Sequence, residues 1–324
     1  VGLFKRNNPD SNKIGGLKIL FTSDLHGSET AFRKFLNAAL MTKADTLIIG
    51  GDLAGKSLVP IIDIGDGKFK VEDKTVGKEG LDEIIKKYKS SGVYYTIVDQ
   101  KGLTELNENR KALDDEFRRV ILERLEEWDR IAQEKLKGTN LKIYTNLGND
   151  DPLYMFDVIG KSERMVKCEG EIVNINGYEM ITFGYVNPTP WNTPREMTED
   201  EIYSNLKQMI EKVENPAKAI FNLHAPPYGT NLDNAPLLDK TLKPVVKNGE
   251  IVMTHVGSTS IRKLEEEFQP LLGIHGHIHE SRAFDKINKT IIINPGSEYN
   301  LGMLHATYII LEDNKVKTHQ FVIG

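Results

Sequence analysis

The chain has 324 residues, enough for one large domain or two smaller ones, and 39% hydrophobic residues supply a sizeable core. A net charge of −5 argues against a broad, sequence-blind nucleic-acid surface, though not against a local basic groove. A single cysteine, Cys168, rules out an internal disulfide and points to a reducing, cytoplasmic setting, and no apolar run approaches the ~20 residues that span a bilayer.

Val1–Gly16 is polar, lacks the layout of a secretory signal, and reads as a weakly ordered lead-in. Leu17–Ser23 reads as a buried strand ending at Asp24. Thr30–Met41 has Phe32, Phe35, Leu36 and Ala39 at helical spacing, and Thr46–Ile49 is a second strand ending at Gly51-Asp52. Strand, helix, strand over this length is a βαβ unit with both strand ends on one side. Gly65-Asp66-Gly67 between two apolar runs signals a hairpin, and Leu81–Ser90 a short helix. From Asn107 to Lys137 apolar residues recur every three or four positions, which predicts one amphipathic helix of about 30 residues, ~45 Å long. Its charged face reads as solvated and self-paired, or as a cap over a site. Residues 55–139 are taken as an insertion, hairpin plus long helix, within a domain spanning 17–324.

Leu141–Leu147 is the strand before Gly148, and Asn176-Gly177 turns a second hairpin. A Pro-rich loop, 187–194, precedes a helix at Glu199–Glu214. Lys218–Leu223 is a strand ending at His224. Ile261–Phe268 is a helix, Leu271–Ile274 leads into Gly276-His277-Ile278-His279, and strands at 290–293, 306–311 and 316–322 complete the chain. Early interleaving of helices with strands and later hairpins fit two packed sheets with helices outside.

Asp24, His26, Asp52, Asn149, His224, His277 and His279 all sit at or just past predicted strand ends, where open α/β sheets bind ligands. Carboxylates, an amide and imidazoles make a mixed O/N donor set, suited to Mn, Fe, Zn, Co or Ni and not to a thiolate-selected metal. Seven donors exceed what one catalytic ion with an open position needs, and suit two ions about 3.5–4 Å apart.

This ordered set, Asp24-Leu25-His26, Gly51-Asp52, Gly148-Asn149-Asp150-Asp151, His224 and Gly276-His277-Ile278-His279, resembles the calcineurin-like metallophosphoesterase superfamily. The resemblance implies a four-layer α/β/β/α sandwich with two mixed sheets. It implies that Asp24, His26 and His279 hold one ion, that Asn149, His224 and His277 hold the other, and that Asp52 bridges them. It also implies hydrolysis of a small phosphate ester by a metal-bridging hydroxide, with manganese the favoured metal. Many members carry a histidine after Gly-Asn as general acid; here that position is Asp150. An ionised Asp cannot protonate a leaving group. Either Asp150 has a raised pKa, or another residue such as His255 takes over, or the substrate is a diester in which protonation matters less. The small-residue loop ahead of Ile261 offers Gly257 and Ser258, with Arg262 nearby, as phosphate contacts, or else simple helix capping by Ser258 or Ser260. His275 reads as a supporting or structural residue, and Asn294–Ser297 as structural support. A nuclease and a non-catalytic protein-binding scaffold are the competing readings, and oligomeric state is open.

Overall fold

A computed structural model describes residues 16–324; the expected lead-in, Gly16 apart, lies outside the described residues. Two six-stranded mixed sheets form its centre. The first runs, edge to edge, Lys315–Ile323, His305–Glu312, Leu17–Thr22, Thr46–Ile49, Ile143–Thr145 and Met165–Lys167. The second runs Ala283–Ile287, Thr290–Asn294, Leu272–Ile274, Ile220–Leu223, Tyr178–Phe183 and Ile172–Ile175. Leu17–Thr22, Thr46–Ile49, Ile143–Thr145 and Met165–Lys167 pair in parallel, with His305–Glu312 antiparallel to the first of them; in the second sheet the four inner strands are parallel and hairpins form both edges.

Alternation along these strands assigns each side chain to a layer. Ile19, Phe21 and Ile48 of the first sheet meet Met180, Ile220, Ile274 and Ile293 of the second in one dry core between the sheets. Leu20, Leu47 and Ile49 point the other way, against Phe32 and Phe35 of helix Glu29–Thr42. Ile181, Phe221 and Leu223 pack outward on Leu206, Ile210 and Leu264 of the helices Glu199–Ile210 and Thr259–Phe268. Helix, sheet, sheet, helix is the expected four-layer sandwich.

The stretch between the strand ends at Ile49 and Ile143 is richer than a hairpin plus one helix. Leu58–Gly65, Lys68–Val71 and Lys74–Gly77 form a meander, joined in parallel by an unanticipated strand, Tyr94–Val98. The helix expected over Asn107–Lys137 is Arg110–Lys135, preceded by a separate, unanticipated helix, Gln100–Glu108. They part at Asn109, whose φ of −114° and ψ of 98° leave the helical region while its side chain caps Lys111 and Ala112. The second helix has 26 residues, about 39 Å at 1.5 Å per residue. Its Val120, Ile121, Leu125, Trp128, Ile131 and Ala132 belong to the same core as Phe32 and Leu47. It is therefore the second outer helix of the first sheet. Among the described residues no helix is long and apolar enough to cross a membrane.

Candidate metal centre

The parallel strands of both sheets end at one place, and the loops leaving them carry the seven donors. Asp24 N donates to Gly51 O at 3.0 Å and His26 N to Asp52 O at 2.9 Å, which zips the first two loops together. Across the sheets, His277 N donates to the Asp24 carboxylate at 3.1 and 3.0 Å. The geometry is strained: Asp24 (φ 58°), His26 (φ 39°), Asp52 (φ 52°) and His277 (φ 68°) all occupy the left-handed region. Non-glycine residues there cost about 1 kcal/mol or more each, and such strain collects where a site fixes the backbone. Two glycines are required by close approach. A Cβ on Gly148 would lie 2.1 Å from Asp52 Oδ1, and one on Gly276 2.1 Å from Ser23 Oγ and 2.4 Å from Asp24 Oδ2.

Two groups of side chains could each hold an ion: Asp24, His26, Asp52 and His279, and Asp52, His224 and His277. Asp52 is common to both. Its Oδ2 is 3.5 Å from His26 Nε2 and 3.5 Å from His224 Nε2, one imidazole from each group. Its Oδ1 accepts from Asp150 N at 3.0 Å, which fixes the carboxylate plane. Asn149 Oδ1 lies 3.2 Å from His224 Nε2, so the amide joins the second group. His26 donates through Nδ1 to Ala54 O (3.1 Å), and His224 through Nδ1 to Gly50 O (2.8 Å). Both Nε2 atoms thus turn inward, as ligating histidines require. His26 Nε2 and His279 Nε2 face each other at 3.1 Å. Two facing lone pairs repel unless a proton or a cation lies between them, so the pocket is built around positive charge.

The electrostatics agree. Burial holds His26 down at about 3 and His277 at about 4, both neutral. Burial opposes charge on His224 as well, but Asp52 beside it prevails and pushes it up to about 9. For His279 burial is outweighed by Asp24, again upward. Asp24 and Asp52 are buried too, yet their histidine partners keep them well below the usual carboxylate range. Asp24 and Asp52 thus strengthen the hold of His224 and His279 on a proton, with which a metal ion would compete.

The residues expected to act beside the metals fall differently. Asp150 is not a free acid: its Oδ2 is 2.6 Å from Lys56 Nζ. Burial and Asp52 raise its pKa while Lys56 opposes them. Lys56, four residues after Asp52, gave no periodic or motif signal in the sequence. Burial disfavours its charge, but Asp52 and Asp150 raise its pKa further, so it stays cationic. Tyr299, also missed, lies with its ring centroid 4.6 Å from that of His26 and 5.8 Å from that of His279. His255 stands outside the donor groups and donates through Nδ1 to the buried Asp233 at 2.7 Å. The expected phosphate loop is already filled. Gly257 N donates to Asp233, and the Glu199 carboxylate takes the Thr259 and Ser260 amides and the Ser258 hydroxyl. Ser258 also caps the helix through Ile261 N, and Arg262 pairs with Glu266 at 2.5 Å. Gly257 and Ser258 therefore already donate to carboxylates within the protein, and the Arg262 Nε is taken by Glu266. Asp151, unassigned in the sequence, accepts from Leu53, Ala54 and Gly148 N–H groups and ties the Asp52 and Asn149 loops together. Asn294 Nδ2 donates to Gly276 O and Ile278 O, bracing the histidine loop.

No protein-family model matches the chain. Over 170 residues it is 35% identical to the uncharacterised protein MJ1162 of Methanocaldococcus jannaschii, covering 51% of this chain and 69% of that protein. In fold it is similar to TT1561 of Thermus thermophilus, at 16% identity and a TM-score of 0.54 over 95% of this chain and 98% of that one. A dimetal phosphatase from Danio rerio aligns over 92% of this chain and 94% of its own, at 8% identity and a TM-score of 0.43.

Proposed function

We propose, for a chain that belongs to the family of MJ1162 and has the fold of the calcineurin-like metallophosphoesterases, a dinuclear metal-dependent phosphoesterase that favours phosphodiesters. The observation that carries the reading is Asp52 Oδ2, equidistant at 3.5 Å from an imidazole of each donor group. One anion between two cations offsets their repulsion. Asp24, His26 and His279 would hold one ion, Asn149, His224 and His277 the other, with Asp52 shared. Two such ions clamp and neutralise phosphoryl oxygens and acidify a water to near neutral pH. The O/N donor set accepts manganese, iron, zinc, cobalt or nickel, and manganese is our choice for reconstitution.

The protein's own groups supply the rest. Lys56 is a fixed cation beside the shared carboxylate, held by Asp150, and would stabilise negative charge developing on the phosphoryl group. This replaces the acid role expected of Asp150 with a positioning one. His255, with Nδ1 anchored on Asp233 and a side chain 42% exposed, is the group left to protonate a leaving oxygen. A single fixed cation beside the metal ligands suits a diester, whose substituted phosphoryl group carries one charge fewer than a monoester.

The first experiment is hydrolysis of matched nitrophenyl phosphate mono- and diesters by stripped protein reloaded with manganese. Diester turnover that disappears with chelator supports the reading. Two retained ions with no turnover of either ester would point to a strict substrate filter, and no bound metal with no turnover to the scaffold alternative. Lys56→Ala is expected to lower kcat about 10–100-fold with a smaller change in KM, as for loss of one charge-stabilising donor. An unchanged kcat would remove Lys56 from the chemistry.

Metal uptake should also depend on pH. Below about 9 the metal-free His224 carries a proton that an ion must expel. Apparent affinity therefore rises with pH toward that value, and loading at neutral pH releases protons. Calorimetry in two buffers of different ionisation enthalpy reads the release; identical heats in both would contradict it.

A further inference from the structure

Helix Thr259–Phe268 turns Ile261 and Leu264 into the core, and Glu265 lies on the same inward face, fully buried. A carboxylate there is costly unless partnered. Its partner is His275, with Nε2 3.2 Å from Oε1 and neither side chain exposed. The neighbouring strand makes room for the pair: a Cβ on Gly273 would sit 2.6 Å from Glu265 Oε1 and 2.9 Å from His275 Nε2.

The far side of the imidazole is as specific. His275 Nδ1 is 2.9 Å from Leu223 O and 3.0 Å from Ala225 O. Both are acceptors, so Nδ1 carries the hydrogen and donates to the two carbonyls. Those carbonyls bracket His224. The chain leaves its strand at Leu223, and beyond it runs Ala225-Pro226-Pro227, in which neither proline can donate to a ladder. With Nδ1 committed to the two carbonyls, Nε2 faces the Glu265 carboxylate at 3.2 Å. A chain of contacts thus runs from the helix through the buried Glu265 carboxylate and His275 to the carbonyls of the residues on either side of a candidate ligand.

We propose that Glu265 and His275 are positioning residues that fix the backbone around His224 and thereby set the affinity of the second ion site, formed by Asn149, His224 and His277. The proposal rests on the two-ion reading above. Displacing His224 Nε2 by a fraction of an ångström changes its distance to Asn149 Oδ1 and Asp52 Oδ2, while Asp24 and His26 of the first group sit on a different loop.

The test is manganese binding to stripped protein, counted by free-ion electron paramagnetic resonance. His275→Ala should bind the second ion about 10–100-fold more weakly and the first unchanged, the usual cost of losing a ligand's support. An amide nitrogen in His275→Asn takes the place of Nδ1 and should restore most of that affinity. In His275→Gln it takes the place of Nε2 and should not. Equal second-ion affinity in the Asn and Gln variants overturns the proposal, even if the Ala variant does not fold. So does wild-type affinity for both ions in the Ala variant, or equal weakening of both ions, which marks a merely structural pair. Wild-type protein that takes up fewer than two ions is a separate result, which removes the two-ion reading and this proposal together.

Discussion

Asp52→Asn is expected to yield a folded protein that no longer retains two metal ions and hydrolyses phosphate esters on the order of 10³-fold more slowly. The substitution is nearly isosteric. An amide oxygen in the Oδ1 position still accepts from Asp150 N, so the 3.0 Å contact that ties the two loops survives. What changes is the atom facing His26 and His224. An NH2 group replaces Oδ2 at 3.5 Å from each Nε2, and it cannot ligate. One of two buried carboxylates also loses its charge, so two dications would rest on Asp24 alone. His224 should lose the partner that most raises its pKa and hold its proton less tightly, with Asp24 and the Gly50 carbonyl still favouring it. Metal content after gel filtration and kcat/KM with a nitrophenyl diester decide the matter. Two ions retained, with activity within tenfold of wild type, would sink the shared-ligand assignment.

The donors of this centre were legible because each obeys a local rule that survives folding. A β-branched run ends, a small residue follows, and a ligating side chain comes next; Ile48-Ile49-Gly50-Gly51-Asp52 and Ile274-His275-Gly276-His277 show it plainly. The layers were legible for a similar reason, since period-two burial in Leu17–Thr22 sends Ile19 and Phe21 one way and Leu20 the other. Contacts between loops follow no period. Lys56 reaches Asp150 across 94 residues, and Glu265 reads from sequence as one more charge on an exposed helix face. Likewise Glu199 fills the amide cluster ahead of Ile261 from 60 residues away, which no reading of that loop by itself reveals. The break at Asn109 was hidden because no apolar residue marks positions 107–111, and the capping bonds that make the break depend on one side chain's rotamer.

Trp128→Ala is expected to cost about 3–5 kcal/mol and to lower the melting temperature by roughly 10 °C, because the long helix is part of the core and not a flap above it. The indole is 1% exposed and lies flat on Phe32, with centroids 4.5 Å apart and planes 3° apart. Its Nε1 has no hydrogen-bond partner among the described residues, so Trp128→Phe gives up packing but no bond and should cost far less. Ile64→Ala on the meander, where the side chain is 52% exposed, should change stability by under about 0.5 kcal/mol. A cost below about 1 kcal/mol for Trp128→Ala, read by denaturant unfolding, would return the helix to the insertion. The same helix connects stability to the metal site. Arg124, one turn before Trp128 and 6% exposed, donates to Gly27 O at 2.5 Å, the carbonyl next after His26. Its guanidinium lies 5.6 Å from the Tyr94 ring centroid, and the Tyr94 hydroxyl accepts from Gly55 N at 3.0 Å, beside Lys56. Loosening the helix at Trp128 should therefore weaken the ion held by Asp24, His26 and His279 more than the one held by Asn149, His224 and His277. That is the reverse of the pattern expected for His275, and comparing the two variants in one manganese titration separates the two supports.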